Sequence, residues 1–288
     1  MSVATLWRSP SAPRAVDGPA LASPVRLREW LAGLSWNDQY GLIGRADSQM
    51  LLGDRVLVLA LNGAWAQVVV PDQATPQDPR GYPGWVPVRQ LTGGAPVTAD
   101  EYATVITPTS WLVRGGAATL EVGLGTRLPV LGRTATTARV GLPSGDQMDV
   151  SLMDVALTSA SGAALPKSGA AVLATARTFL GLRYLWAGTS AFGYDCSGLM
   201  YTIFKAHGVL LPRDAQDQAV VGTPVAKQSL QPGDLVFFAA GGVVHHVAMY
   251  AGSGMLLDSP DIGKGVQVVS MSTEPYASEF SGARRMIS

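Results

Sequence analysis

The chain has 288 residues, 47% of them hydrophobic, enough for about two domains of ~150 residues and for more than one core. Lys plus Arg equals Asp plus Glu at 21 each, so no basic surplus points to nucleic acid or to an anionic membrane surface, and neither is expected as a partner. One cysteine excludes an internal disulfide framework and leaves the redox compartment undecided.

Met1 to Pro10 has no apolar h-region, and no segment reaches ~18 uncharged apolar residues, so neither signal peptide nor membrane span is expected. A cytoplasmic location is the expectation, with a secreted or periplasmic one the alternative if a leader has been removed. Residues 1 to about 25 are rich in Pro, Ser and Ala, and a short helical pattern follows from Val25 to Leu34. The period then changes. Val56, Val58, Leu59 and Leu61, the Asn62-Gly63 pair, and Trp65 through Val70 predict a hairpin joined by a type I′ turn. Gly84-Trp85-Val86-Pro87 closes this stretch.

A linker at Gly93–Thr98 leads to five candidate strands: Ala103–Ile106, Thr119–Val122, Arg127–Leu131, Ala138–Gly141 and Asp149–Leu152. Ser159 to Ser168 turns to Ser, Gly, Ala and Pro, a plausible boundary. A helix is predicted from Ala170 to Leu180, ended by Gly181. After the turn-rich Gly188–Gly193, Asp195 is a good N-cap, Leu199, Ile203 and Ala206 recur at helical spacing, and Gly208 supplies a stop. Leu235–Phe238, His246–Tyr250, Met255–Asp258 and Val266–Val269 then predict antiparallel strands. Helices on one such sheet give an α+β domain.

Cys196 falls in the first turn of the predicted helix, where the positive end of the helix and a neighbouring imidazolium favour the reactive thiolate. Cutting an amide through sulfur needs a base, and histidine is poised for it near neutral pH. His207 ends the helix, where capping of carbonyls is the expectation. His245 and His246 point to opposite faces of a strand, and alternation does not decide between them, because both faces are apolar. No His-Glu-x-x-His, paired Cys-x-x-Cys or phosphate loop is present, so no metal and no nucleotide cofactor are expected.

Tyr184, Trp186 and Gly188, then Asp195-Cys196-Ser197-Gly198-Leu199, Leu211-Pro212-Arg213-Asp214, Pro232-Gly233-Asp234-Leu235 and His246-Val247-Ala248-Met249-Tyr250 come in an order and spacing that resemble the NlpC-type cell-wall cysteine peptidases. The resemblance covers about residues 165–288. It implies a papain-like catalytic domain with Cys196 as nucleophile and selects His246, on the His-Val-x-x-Tyr strand, as base. It places the orienting group twelve residues on, where a second histidine is common and this chain has Asp258. Tyr184 matches the tyrosine whose hydroxyl points into the site. The Gly-Trp-Val stretch resembles bacterial SH3-like modules, so two small SH3-like β-barrels are expected, with segments 1–92, 98–158 and 165–288.

In the branch with paired SH3-like domains, the resemblance implies that Asp214, groups flanking the cysteine (Asp195, Ser197) and the first barrel bind the free amine of an N-terminal L-alanine. Tyr82 matches the barrel's tyrosine, and its acid is Asp47 or Asp54. The implied reaction is hydrolysis of the γ-D-glutamyl–L-lysine or –diaminopimelate bond of peptidoglycan peptides, in muropeptide recycling. Plainer alternatives stand beside these roles: a core Cys196 or Tyr184, a turn aspartate at 258, an N-cap at Asp214, a surface aromatic at Tyr82, and solvated charges at Asp47 and Asp54. A non-catalytic wall-binding protein, and a thiol acyltransferase or differently specific amidase on the same scaffold, are the rival function classes.

Overall fold

The computed structural model describes residues 1–94 and 97–287, so the expected linker Gly93–Thr98 lies partly outside the described residues. The N-terminal sheet holds β1 (Val3–Trp7), β2 (Ala46–Leu51), β3 (Leu57–Asn62), β4 (Trp65–Val70) and β5 (Tyr82–Pro87) in the order β2-β1-β5-β4-β3. β1 was not predicted. All five of its residues are buried, so it shows no period-2 signal, and it lies within a stretch otherwise rich in Pro and Ser. Between β1 and β2 run three short helices, α1 (Gly18–Leu21), α2 (Leu27–Gly33) and α3 (Trp36–Tyr40). The predicted hairpin forms as β3–β4, but Asn62 pairs with Trp65 and the turn is Gly63-Ala64, with Gly63 at φ 57°. One positive φ, on a leading glycine, fits a II′ turn instead of the expected I′.

A second antiparallel sheet contains β6 (Glu101–Val105), β7 (Thr109–Arg114), β8 (Ala117–Gly123), β9 (Arg127–Arg133), β10 (Thr137–Gly141), β11 (Gln147–Ser151) and β12 (Val155–Ser159), in the order β12-β6-β9-β10-β11-β7-β8. The five expected strands are present, and β7 and β12 are additional. Neither N-terminal sheet closes on itself in its pairing, where closed barrels were expected. The second sheet has its own core, including Leu112, Val122, Leu128, Val140 and Val150.

The C-terminal α+β region begins with α4 (Gly169–Arg177) and the small hairpin β13 (Thr189–Ser190) and β14 (Gly193–Tyr194). The long α5 (Cys196–Ala206) and the short α6 (Ala215–Gln218) follow. Six strands complete it: β15 (Thr223–Pro224), β16 (Leu235–Ala240), β17 (Val243–Gly252), β18 (Met255–Asp258), β19 (Gln267–Ser270) and β20 (Phe280–Arg285), with α7 (Tyr276–Glu279) before the last. Their order is β15-β20-β16-β17-β18-β19. Leu199, Met200, Ile203 and Phe204 of α5 pack on Leu235, Phe237, Val247 and Met249 of the sheet. Each such fully buried side chain contributes about 1.5–3 kcal/mol, so this face fixes the helix against the sheet.

The N-terminal sheet is joined to this region by a shared core in which Trp7 and Trp30 meet Leu185, Ala187 and Phe192. Trp186 Nε1 donates to the Ala46 carbonyl at 2.9 Å, and an Arg183 guanidinium nitrogen to that of Leu31 at 2.6 Å. No helix among the described residues is long and apolar enough to cross a membrane.

Candidate active site

Cys196 is the first residue of α5. Asp195, extended at φ −83° and ψ 179°, caps the helix by accepting the Gly198 N–H at 2.7 Å. Gly198 has to be glycine: a Cβ there would stand 2.0 Å from the Gly188 carbonyl oxygen. The Asp-Cys-Ser-Gly run is therefore a cap, a residue at the helix start, and a contact that brings the preceding turn against the helix.

β17 brings His246 to the same place. Its Nε2 meets Asp258 Oδ1 at 2.8 Å, which leaves Nδ1 for the thiol. Burial lowers the imidazole's pKa, but the charge of Cys196 and hydrogen bonds with Asp258 and Cys196 outweigh it and raise the pKa well above the ordinary value. The ring is thus favoured in its charged form beside the sulfur. Asp258 is wholly buried, and its Oδ2 accepts the hydroxyl proton of Tyr276 from α7. Cys196, His246 and Asp258 are brought together.

The other histidines lie elsewhere. His245 is exposed and pairs with Glu279 at 3.1 Å. His207 was expected to cap carbonyls of α5; instead its ring reaches other segments, Nδ1 lying 2.6 Å from the Pro166 carbonyl and Nε2 2.9 Å from Thr175 Oγ1. Only its backbone N–H bonds the helix end.

Tyr184 is buried, and burial together with the charges of Cys196 and Asp195 pushes its phenol well up, so it stays a hydroxyl donor near the sulfur. Asp195 and Ser197, expected to contact substrate, have their side chains committed inside the protein. Both Asp195 oxygens accept from the buried Arg213, whose terminal nitrogen also reaches Ser197 Oγ at 3.0 Å. Arg213 Nε donates to Ser48 Oγ of β2 at 2.9 Å. One guanidinium thereby ties the N-terminal sheet to the cap of the cysteine helix.

Asp214 sits at the start of α6 but makes no side-chain capping bond; its Oδ2 accepts the Tyr82 hydroxyl at 3.0 Å. Tyr82 comes from the first residue of β5, so the pair spans the two regions. Burial pushes Asp214 above the ordinary carboxylate range, against the lowering effect of Arg213. Tyr82 is pushed up by burial and by the charge of Asp214, with Arg213 opposing and the more distant charge of Asp47 adding a little. Asp47 itself is bridged by Arg8 Nε at 2.8 and 2.9 Å.

Asp54 is not part of this group. It pairs with Lys205 at 3.1 Å, near the opposite end of α5 from Cys196. Arg213 lies within the sequence motif but carried no predicted role, and Ser48, Arg8 and Tyr276 have no local sequence signal. Among the described residues no group of three or more His, Cys, Asp or Glu is placed to hold a metal ion.

Residues 181–285 match the NlpC/P60 family. A gamma-D-glutamyl-L-lysine dipeptidyl-peptidase of Bacillus cereus (strain ATCC 10987 / NRS 248) is 38% identical over 298 residues, spanning 100% of this chain and 90% of that protein. A protein of the same name from Bacillus subtilis (strain 168) is 36% identical over 293 residues, with 100% and 97% covered. The crystal structure of an NlpC/P60 family protein from Bacillus cereus ATCC 10987 superposes with a TM-score of 0.95 at 38% identity, over 99% of this chain and 97% of that one. With the full length aligned to such relatives, and a cysteine, histidine and carboxylate assembled at one helix start, the chain belongs to the NlpC/P60 family of cysteine peptidases.

Proposed function

We propose that this peptidase hydrolyses the bond between γ-D-glutamate and L-lysine or diaminopimelate in peptidoglycan peptides that begin with a free L-alanine. The observation that carries the reading is the Tyr82–Asp214 hydrogen bond, which sets a half-buried carboxylate at the start of α6 against a phenol from the first sheet. The names of the two full-length relatives supply the bond. An ammonium group at such a carboxylate is recognised sharply, because a blocked amine leaves it unpaired. We take the two N-terminal sheets as SH3-like units, with segments 1–92, 98–158 and 165–288. The place of action would be the cytoplasm, on fragments whose alanine amine has already been freed, as in muropeptide recycling.

Cys196 sulfur attacks the γ-carbonyl carbon of the glutamyl residue, and the oxyanion accepts from the Cys196 N–H and the Tyr184 hydroxyl. The C–N bond breaks as His246⁺ gives its proton to the leaving amine, which departs and leaves a thioester. Water then loses a proton to His246 and attacks the thioester carbonyl. The C–S bond breaks, the dipeptide acid leaves, and the thiolate–imidazolium pair is restored. Asp258 holds the ring throughout.

The test is L-Ala-γ-D-Glu-L-Lys against its N-acetyl form, followed by mass spectrometry. The free peptide should yield L-Ala-γ-D-Glu and lysine, and the acetylated one should turn over at least ~100-fold more slowly, in keeping with loss of a charge-assisted contact. Equal rates on both would remove the amine contact from the mechanism. Transfer of the dipeptide to an added amine in preference to water would favour the acyltransferase class.

A further inference from the structure

The short helix α7 reaches both neighbouring histidines of β17: Tyr276 bonds Asp258, the partner of His246, and Glu279 bonds His245. The Tyr276 ring stands edge-on to Phe238 at 5.2 Å and 73°, and its centroid lies 6.2 Å from that of His246. Its packing and its hydroxyl are both fixed. Asp258 is wholly buried, and a buried carboxylate needs donors on both oxygens. His246 serves Oδ1 and Tyr276 serves Oδ2.

We propose that Tyr276 is a positioning residue for the His246 imidazole, aiming Asp258 Oδ1 at Nε2 and drawing part of the carboxylate's charge onto its own hydroxyl. His246 has to release its proton to the leaving amine, and an undiluted carboxylate 2.8 Å away would hold that proton too firmly. The inference rests on the thiolate–imidazolium mechanism above, but not on the identity of the peptide. The charged and titratable groups around the ring are Cys196 of α5, Asp258 of β18, Tyr276 of α7, and the His245–Glu279 pair beside it.

Alkylation of Cys196 by iodoacetamide as a function of pH reads the imidazolium's deprotonation as the alkaline inflection, and needs no peptide. In the full-length protein Tyr276→Phe, which keeps the ring, should move that inflection upward by about half a pH unit or more, since a hydrogen bond to a charged group is worth ~1.5–3 kcal/mol and part of it is transmitted. On the peptide, kcat should fall about tenfold with KM unchanged. Tyr276→Met, which fills the space of the ring without a hydroxyl, should move the inflection the same way and keeps the test available if Tyr276→Phe does not fold. Asp258→Asn should lower the inflection, and adding Tyr276→Phe to it should move it no further. An inflection that stays in place or falls in Tyr276→Phe, a raised KM at constant kcat, or the same upward shift in the double variant would each overturn the proposal. Normal alkylation behaviour with no peptide cleaved would instead count against the substrate reading alone.

Discussion

The two N-terminal sheets are alike in being open and antiparallel, yet they meet the peptidase region in different ways. The first sends polar groups into it: Ser48 to Arg213, Gln49 to Thr189 and Ser190, and Tyr82 to Asp214. The second mostly leans on it. Leu124, just after β8, enters the core of α5, and Gly123 packs so closely on Ala191 that a Cβ would stand 2.9 Å from it. Its ion pair at Glu121 runs to Arg28 of α2 in the N-terminal region instead of to the peptidase region, and the arginine side chain is 67% exposed. Packing tolerates change of partner better than a buried charge does, so the first sheet is the one bound to the chemistry.

The contrast is most exposed at Arg213. Arg213→Met leaves Asp195 buried without its cation and should cost about 3–5 kcal/mol, a fall in Tm of roughly 10 °C, with turnover lost. Calorimetry and peptide cleavage together check it, and a stable, active variant would dissolve the link between first sheet and nucleophile helix. Next comes Asp214→Asn, which should lower kcat/KM on the free-amine peptide about 100-fold, equivalent to ~2.7 kcal/mol, and leave iodoacetamide alkylation of Cys196 unchanged.

Acidity gives a graded version of the same loss. Burial raises the Asp214 carboxyl above its ordinary range, so as pH falls through that raised value the group takes up a proton and stops attracting an ammonium. KM should rise by about tenfold per pH below it while kcat changes little; a KM flat from neutrality down to pH ~4 would refute this. Smallest of all, Glu121→Gln in the second sheet should cost only about 0.2–1 kcal/mol and leave kcat/KM untouched, as measured by denaturant titration and steady-state rates.

What was legible in the sequence follows the same division. The helix from Cys196, the strands around His246 and Asp258, and the β3–β4 hairpin carry local signals: a cap, a period, a turn glycine. β1 does not, because it is buried along its whole length, and β20 reads Phe-Ser-Gly-Ala-Arg-Arg, too polar and too poor in β-branched residues to announce a strand lying between β15 and β16. The bonds of Asp195 and Ser197 to Arg213 were not legible because that partner lies 18 and 16 residues away. Tyr276 is 18 residues from Asp258 and belongs to no motif. Contacts that complete a charge across distant segments are set by tertiary packing, and local periodicity does not encode them.

The guanidinium of Arg213, held between a serine of one region and the helix cap of another, makes the N-terminal sheet something other than a detachable cassette. A gene fragment starting near residue 165 would encode an arginine without its Ser48 partner and an Asp214 without Tyr82. Shuffling this peptidase onto other modules would therefore keep the packing of the cysteine helix on its own sheet but lose the hydroxyl that the first sheet offers its arginine.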